Sequence, residues 1–129
     1  MSIFDFFIGN LDRHHFERIT SLGNKTFSLH LDHGRTFGKI FEDDRHNTII
    51  YPMKQCCLIR YSTYLKLKYL YKKGFSNLLD ESLKNDPLYP ILTNDHLKAI
   101  DRRLLVILNE LNTCINTFKP YEVLVDDGY

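Results

Sequence analysis

Apolar positions follow two periods along the chain, and the changes of period predict its elements. Ile3, Phe4, Phe7 and Ile8 recur at helical spacing and stop at Gly9-Asn10, predicting a helix that ends there. From Thr26 to Asp32, Phe27, Leu29 and Leu31 alternate with Ser28, His30 and Asp32, the pattern of a half-buried strand that opens into a loop at Asp32. Residues 33–48 are polar, with Gly34, Gly38 and the charged Glu42-Asp43-Asp44-Arg45, and read as an exposed or functional loop. Leu58, Ile59, Tyr61, Leu65 and Leu70 predict a helix from about Gln55 to Lys73, closed by Gly74. A short helix is expected from Ser76 to Lys84, ended by Asp86-Pro87. The clearest element starts at a cap on Thr93 or Asn94. There Leu97, Ile100, Leu104, Ile107, Leu108, Leu111, Ile115 and Phe118 keep three-and-four spacing until Pro120. Tyr121 to Val125 is expected to add a last short strand. The fold class is mainly α, with a minor β part.

Composition narrows this little. The 129 residues suffice for one core and are too few for two, and the apolar and charged shares are those of an ordinary soluble domain. A net charge of +1 gives no global attraction to nucleic acid or to an anionic membrane. No apolar run approaches the roughly 18 residues of a membrane span, and the first residues lack the basic start of a signal peptide, so neither is expected in this chain. Three cysteines, Cys56, Cys57 and Cys114, allow at most one comfortable intrachain disulfide, since a bond between the adjacent pair would be strained. In a reducing compartment all three would be small buried hydrophobes. Asn24-Lys25-Thr26 is an N-glycosylation sequon, meaningful only in the secretory pathway.

Phosphoryl transfer asks a protein for a carboxylate that orients and deprotonates the acceptor hydroxyl, and for carboxylates that hold a divalent metal on the phosphates. Asp12, in a loop after an apolar helix and beside Arg13, suits the first task. Asp32, at a strand end before His33-Gly34, suits the second. Both also fit ordinary solvated turns, where Asp-Arg and Asp-x-Gly are common. A third reading takes His14, His15, His30, Asp32 and His33 as ligands of zinc or iron in a hydrolase. Against it, no His-x-x-x-His pair occurs, and adjacent histidines on one element rarely reach one ion.

The run Ile3-Phe4-Asp5-Phe6-Phe7-Ile8-Gly9-Asn10-Leu11-Asp12-Arg13-His14-His15-Phe16-Glu17 resembles the catalytic segment of the Golgi secretory-pathway kinases. That group contains the Golgi casein kinase, the glycosaminoglycan xylosylkinase and the four-jointed kinase. Gly23-Asn24-Lys25-Thr26-Phe27, His30-Leu31-Asp32-His33-Gly34-Arg35-Thr36-Phe37-Gly38-Lys39, Gln55-Cys56-Cys57, Ser62-Thr63-Tyr64-Leu65 and Asp101-Arg102-Arg103-Leu104 are similar to the same family in the same order.

The resemblance implies that Asp12 is the catalytic base and Asp32 the metal ligand that also serves the nucleotide, with manganese or magnesium as the ion and ATP as co-substrate. Glu17 stands where conventional kinases place an asparagine, and His33 where relatives often carry Asn. It implies a Cys57–Cys114 disulfide, leaves Cys56 without its upstream partner, and suits a glycan on Asn24. It further implies that residues 1–129 are a partial kinase domain, the C-terminal lobe of an atypical kinase with a small β-hairpin, without the nucleotide-binding N-terminal lobe. The implied setting is the Golgi lumen or the secreted space. Implied acceptors are serine in secreted proteins or, alternatively, xylose in the proteoglycan linker. A pseudokinase that activates a related kinase, in a homo- or heterodimer, is the remaining alternative.

Overall fold

The computed structural model describes all residues but 15, 24, 25, 39, 42, 44–47 and 129. Helix α1 (Ser2–Ile8) is followed by a long segment with one 3-10 turn at Thr20–Leu22 and another at Thr48–Ile50. Then come α2 (Tyr51–Cys56), β1 (Ile59–Arg60), α3 (Tyr61–Lys73), α4 (Phe75–Leu83), α5 (Asn94–Thr117), α6 (Pro120–Val123) and β2 (Leu124–Val125). No helix of the described residues is long and apolar enough to cross a membrane.

Helix α5 is the axis of the fold. Thr93 caps it, its side chain accepting from the His96 backbone N–H while the His96 ring answers to the Thr93 N–H. Ile100, Leu104, Ile107 and Leu111 lie on one stripe and are buried against Phe6 and Phe7 of α1, Met53 of α2, Ile59 of β1 and Leu67 of α3. The predicted stripe therefore holds to Leu111 and passes to Cys114, whereas Phe118 lies beyond the helix and is exposed.

The helix expected from Gln55 to Lys73 is broken at Cys57, which takes a left-handed conformation with φ 47°. That break lets Ile59–Arg60 pair in parallel with Leu124–Val125, in the register Ile59 to Leu124 and Arg60 to Val125. The returning C-terminus also brings Asp127 to the start of α3, where its carboxylate accepts from the Ser62 N–H at 3.1 Å and from the Ser62 hydroxyl. Cys57 and Cys114 form a disulfide that joins the α2–β1 junction to the end of α5, packed on Val123, Ile115 and Leu124. Cys56 is exposed and free.

The small sheet is thus a parallel pair of distant strands. The strand expected over residues 26–32 is reduced, among the described residues, to an antiparallel bridge between Glu17 and Leu29. Its alternate apolar residues find no core among the described residues: Phe27 and Leu31 are exposed, so that face has little to bury against.

Candidate active site

Two loops meet in front of α1, and the first owes its course to the way α1 ends. Gly9 closes the helix with φ 68°, and a Cβ there would stand 3.2 Å from the Arg103 guanidinium. The next residue, Asn10, is 1% exposed. Its amide donates to Asp5 Oδ1 and its Oδ1 accepts from the Asp12 N–H at 2.9 Å, which fixes the backbone of Asp12.

Asp5 and Arg13 tie this loop to the second. Asp5 is 2% exposed, a carboxylate inside an apolar helix, and it accepts from Arg13 Nε at 3.1 Å and Nη2 at 2.8 Å. The same guanidinium donates to the Leu31 carbonyl at 2.5 Å and to His33 Nδ1 at 2.8 Å, so it grips the residues on either side of Asp32. Because Nδ1 accepts, the neutral His33 ring carries its proton on Nε2. The hydrogen bonds to Asp5, followed by the Asp5 and Asp32 charges, hold the Arg13 pKa above its ordinary value against the opposing effect of burial.

Asp32 adopts φ 59°, a left-handed conformation that Asp tolerates, and its Oδ1 accepts from the Gly34 N–H at 3.2 Å. Its side chain faces solvent. Asp12 is half-buried, with Arg35 Nη1 3.2 Å from Oδ2 and His14 Nδ1 3.7 Å from Oδ1. Gly9, Leu11 and Asp12 of the first loop line an open cleft of about 480 Å³ together with Gly34, Arg35 and Thr36 of the second. Asp32 stands next to that cleft, two residues before Gly34.

The second loop is anchored from behind. The Phe37 N–H donates to the Ile8 carbonyl at 2.8 Å, and the Phe37 carbonyl accepts from His96 Nε2 at 3.0 Å. Further along, Asp43 accepts from Arg102 and Arg103 of α5, while Arg103 Nη1 donates to the Phe7 carbonyl at 2.8 Å. Asp5, Asn10, Arg103 and His96 are therefore part of the site's support, a role that their sequence positions did not show. For Asp5 a signal existed, an acid among Ile3, Phe4, Phe7 and Ile8.

Among the described residues no three histidines, cysteines or carboxylates converge as a metal cage, so His14, His30, Asp32 and His33 do not come together as a hydrolase's ligand set. His15 lies outside the described residues, as do Asn24 and Lys25 of the sequon. Glu17 is exposed and meets Leu29 through its backbone. What the loops do offer is hard oxygen from an accessible Asp32 carboxylate beside an open cleft. That suits manganese or magnesium, which take one or two protein carboxylates and complete their shell with phosphate and water.

Residues 1–123 match the family described as Golgi casein kinase, C-terminal, Fam20. The chain is 46% identical over 129 residues to the extracellular serine/threonine protein kinase FAM20C of Homo sapiens, covering 98% of this chain and 22% of that protein. It is 44% identical to the pseudokinase FAM20A of Homo sapiens, covering 98% of this chain and 23% of that protein. The crystal structure of the Golgi casein kinase with Mn/ADP bound superposes with a TM-score of 0.86 at 42% identity, over 96% of this chain and 30% of that one. The chain thus spans about a quarter of the length of these curated relatives, and its fold is that of the matching C-terminal part of a kinase. With the match running through both loops to residue 123, the chain belongs to the Golgi casein kinase, C-terminal, Fam20 family.

Proposed function

We propose that this chain is the C-terminal catalytic portion of a secretory-pathway kinase that transfers the γ-phosphate of ATP to serine in secreted proteins. Asp12 is the base that orients the acceptor hydroxyl and takes its proton, and Asp32 is the ligand of a manganese or magnesium ion. The observation that carries this reading is Arg13, which fastens the loop of Asp12 to both neighbours of Asp32 while seated on the buried Asp5. Such a clasp fixes two carboxylates relative to one another, which positional catalysis requires. When bound, the ion would neutralise charge developing on the phosphates. Arg35 pairs with Asp12 at the cleft and holds the carboxylate towards it.

Residues 1–129 are read as a partial kinase domain. A kinase also holds nucleotide with a glycine-rich loop, a strand lysine and a helix glutamate. Ahead of Asp12 the described residues form only α1. The 129-residue chain alone is therefore expected to show negligible ATP turnover, and robust manganese-dependent turnover would refute this.

The acceptor is tested with a chimera in which residues 1–123 replace the matching segment of the Homo sapiens kinase FAM20C. Phosphate transfer to a secreted serine peptide supports the proposal, and transfer to a xylose-containing linker sugar instead would overturn it. The Golgi lumen or the secreted space is the proposed setting, where the Cys57–Cys114 bond persists. Asn24 is the proposed glycan acceptor there. The 44% identity to a pseudokinase favours one second reading, an allosteric partner of a related kinase. It predicts a chimera that binds such a kinase and transfers no phosphate.

A further inference from the structure

Helix α3 carries a concentration of charge that the proposed catalysis does not use. Lys66, Lys68, Lys72 and Lys73 lie within its 13 residues, which include no acid, in a chain of net charge +1. Among the described residues no carboxylate stands within ion-pair distance of these four lysines. On one face of α3, Tyr64, Lys68, Tyr71 and Lys72 follow at intervals of four, three and one, so rings and ammonium groups alternate along a ridge. Lys68 Nζ rests 5.4 Å from the centre of the Tyr64 ring.

That ridge faces α5 across a groove of about 510 Å³ whose other wall includes Leu105 and Leu108. Leu105 is 44% exposed although it belongs to the most deeply packed helix, and Tyr71 is 57% exposed. The groove therefore has an α5 wall of two leucines and two asparagines, Asn109 and Asn112, with aromatic anchors opposite and lysines as its charged lining residues.

We infer that the groove between α3 and α5 docks an acidic amphipathic helical segment of a partner protein. From Tyr64 to Lys72 the ridge rises about 12 Å, roughly two helical turns, the length over which apolar side chains at i, i+3, i+4 and i+7 can be read. Leu105 and Leu108 receive those side chains, the tyrosines supply rigid contact area, and Lys68 and Lys72 select carboxylates on the flanks of the incoming helix. A second copy of this chain is disfavoured, because its α3 would set like charges against these lysines. A sulfated glycan would use the lysines and leave the leucines without an apolar partner.

The test is fluorescence anisotropy of the 129-residue chain with a labelled acidic amphipathic peptide of about four helical turns. Binding should saturate, weaken as salt rises, and fall at least about tenfold in K68E/K72E, while K98E at the far end of α5 binds like the parent. L105D should weaken binding comparably at high salt, where the charge contribution is screened. Circular dichroism verifies that each variant keeps the parent's helicity, and K68E/K72E changes only exposed side chains. The inference is overturned if K68E/K72E binds as the parent does, or if a heparin oligosaccharide binds and the peptide fails to. It is also overturned if the lysine variant acts only by dissolving self-association measured by sedimentation.

Discussion

Replacing Arg13 by methionine isolates the contact that holds the two loops together. Methionine keeps the apolar stem and removes the guanidinium. Among the described residues, the carboxylate of Asp5, 2% exposed, would keep only the 3.4 Å bond from the Asn10 amide and would lose two charge-assisted bonds, at 3.1 and 2.8 Å. Charge-assisted bonds contribute about 1.5–3 kcal/mol each, and breaking a buried ion pair on one side costs about 3–5 kcal/mol. Against a typical total stability of about 5–15 kcal/mol, R13M should forfeit about a fifth or more. Urea unfolding followed by circular dichroism reads the loss as a lower midpoint at unchanged slope. The neutral pair D5L/R13M should regain most of it, because no buried charge is then left alone. An R13M midpoint equivalent to less than about 1 kcal/mol of loss would refute the reasoning, since the Asp5 carboxylate would then have to be solvated.

Acid should unfold the chain partly through Asp43. Burial works to raise its pKa, but hydrogen bonds from Arg102 and Arg103 outweigh it and hold the carboxyl below its ordinary value of 3.8. A depressed folded value means this stabilisation is complete above 3.8 and is lost as pH falls through the folded value, so D43N should flatten the acid limb. An unchanged limb would contradict this. Reducing the Cys57–Cys114 bond, which closes a separation of 57 residues, should cost about 4 kcal/mol by the chain-entropy relation, and identical unfolding with and without reductant would refute it.

The loop positions of the two candidate carboxylates were legible because glycine punctuates both loops: Gly9 ends the helix before Asp12, and Gly34 turns the chain after Asp32. Helix α5 was legible from its stripe, since Ile100 to Leu111 repeats one face. The parallel pairing of Ile59 with Leu124 was not, because its partner lies 65 residues away and neither dipeptide has a period of its own. The break at Cys57 was hidden for a similar reason: the apolar run through Leu58, Ile59 and Tyr61 imitates a helix. Phe27, Leu29 and Leu31 alternate as a strand does, yet an alternating pattern specifies a face and not the surface that covers it. Arg103 was invisible as support, because a buried guanidinium is recognised only once Asp43 and the Phe7 carbonyl are seen around it.

The proposed phosphate transfer depends on Asp12 acting as the base. Its most direct test is the rate of manganese-dependent phosphate transfer from ATP to a serine peptide, in the chimera carrying residues 1–123, with and without D12N. With Asp12 as the base, the chimera should be active, and D12N should lower kcat by about 10²–10⁴-fold at unchanged nucleotide affinity. A D12N chimera that transfers phosphate at the parent's rate would contradict it.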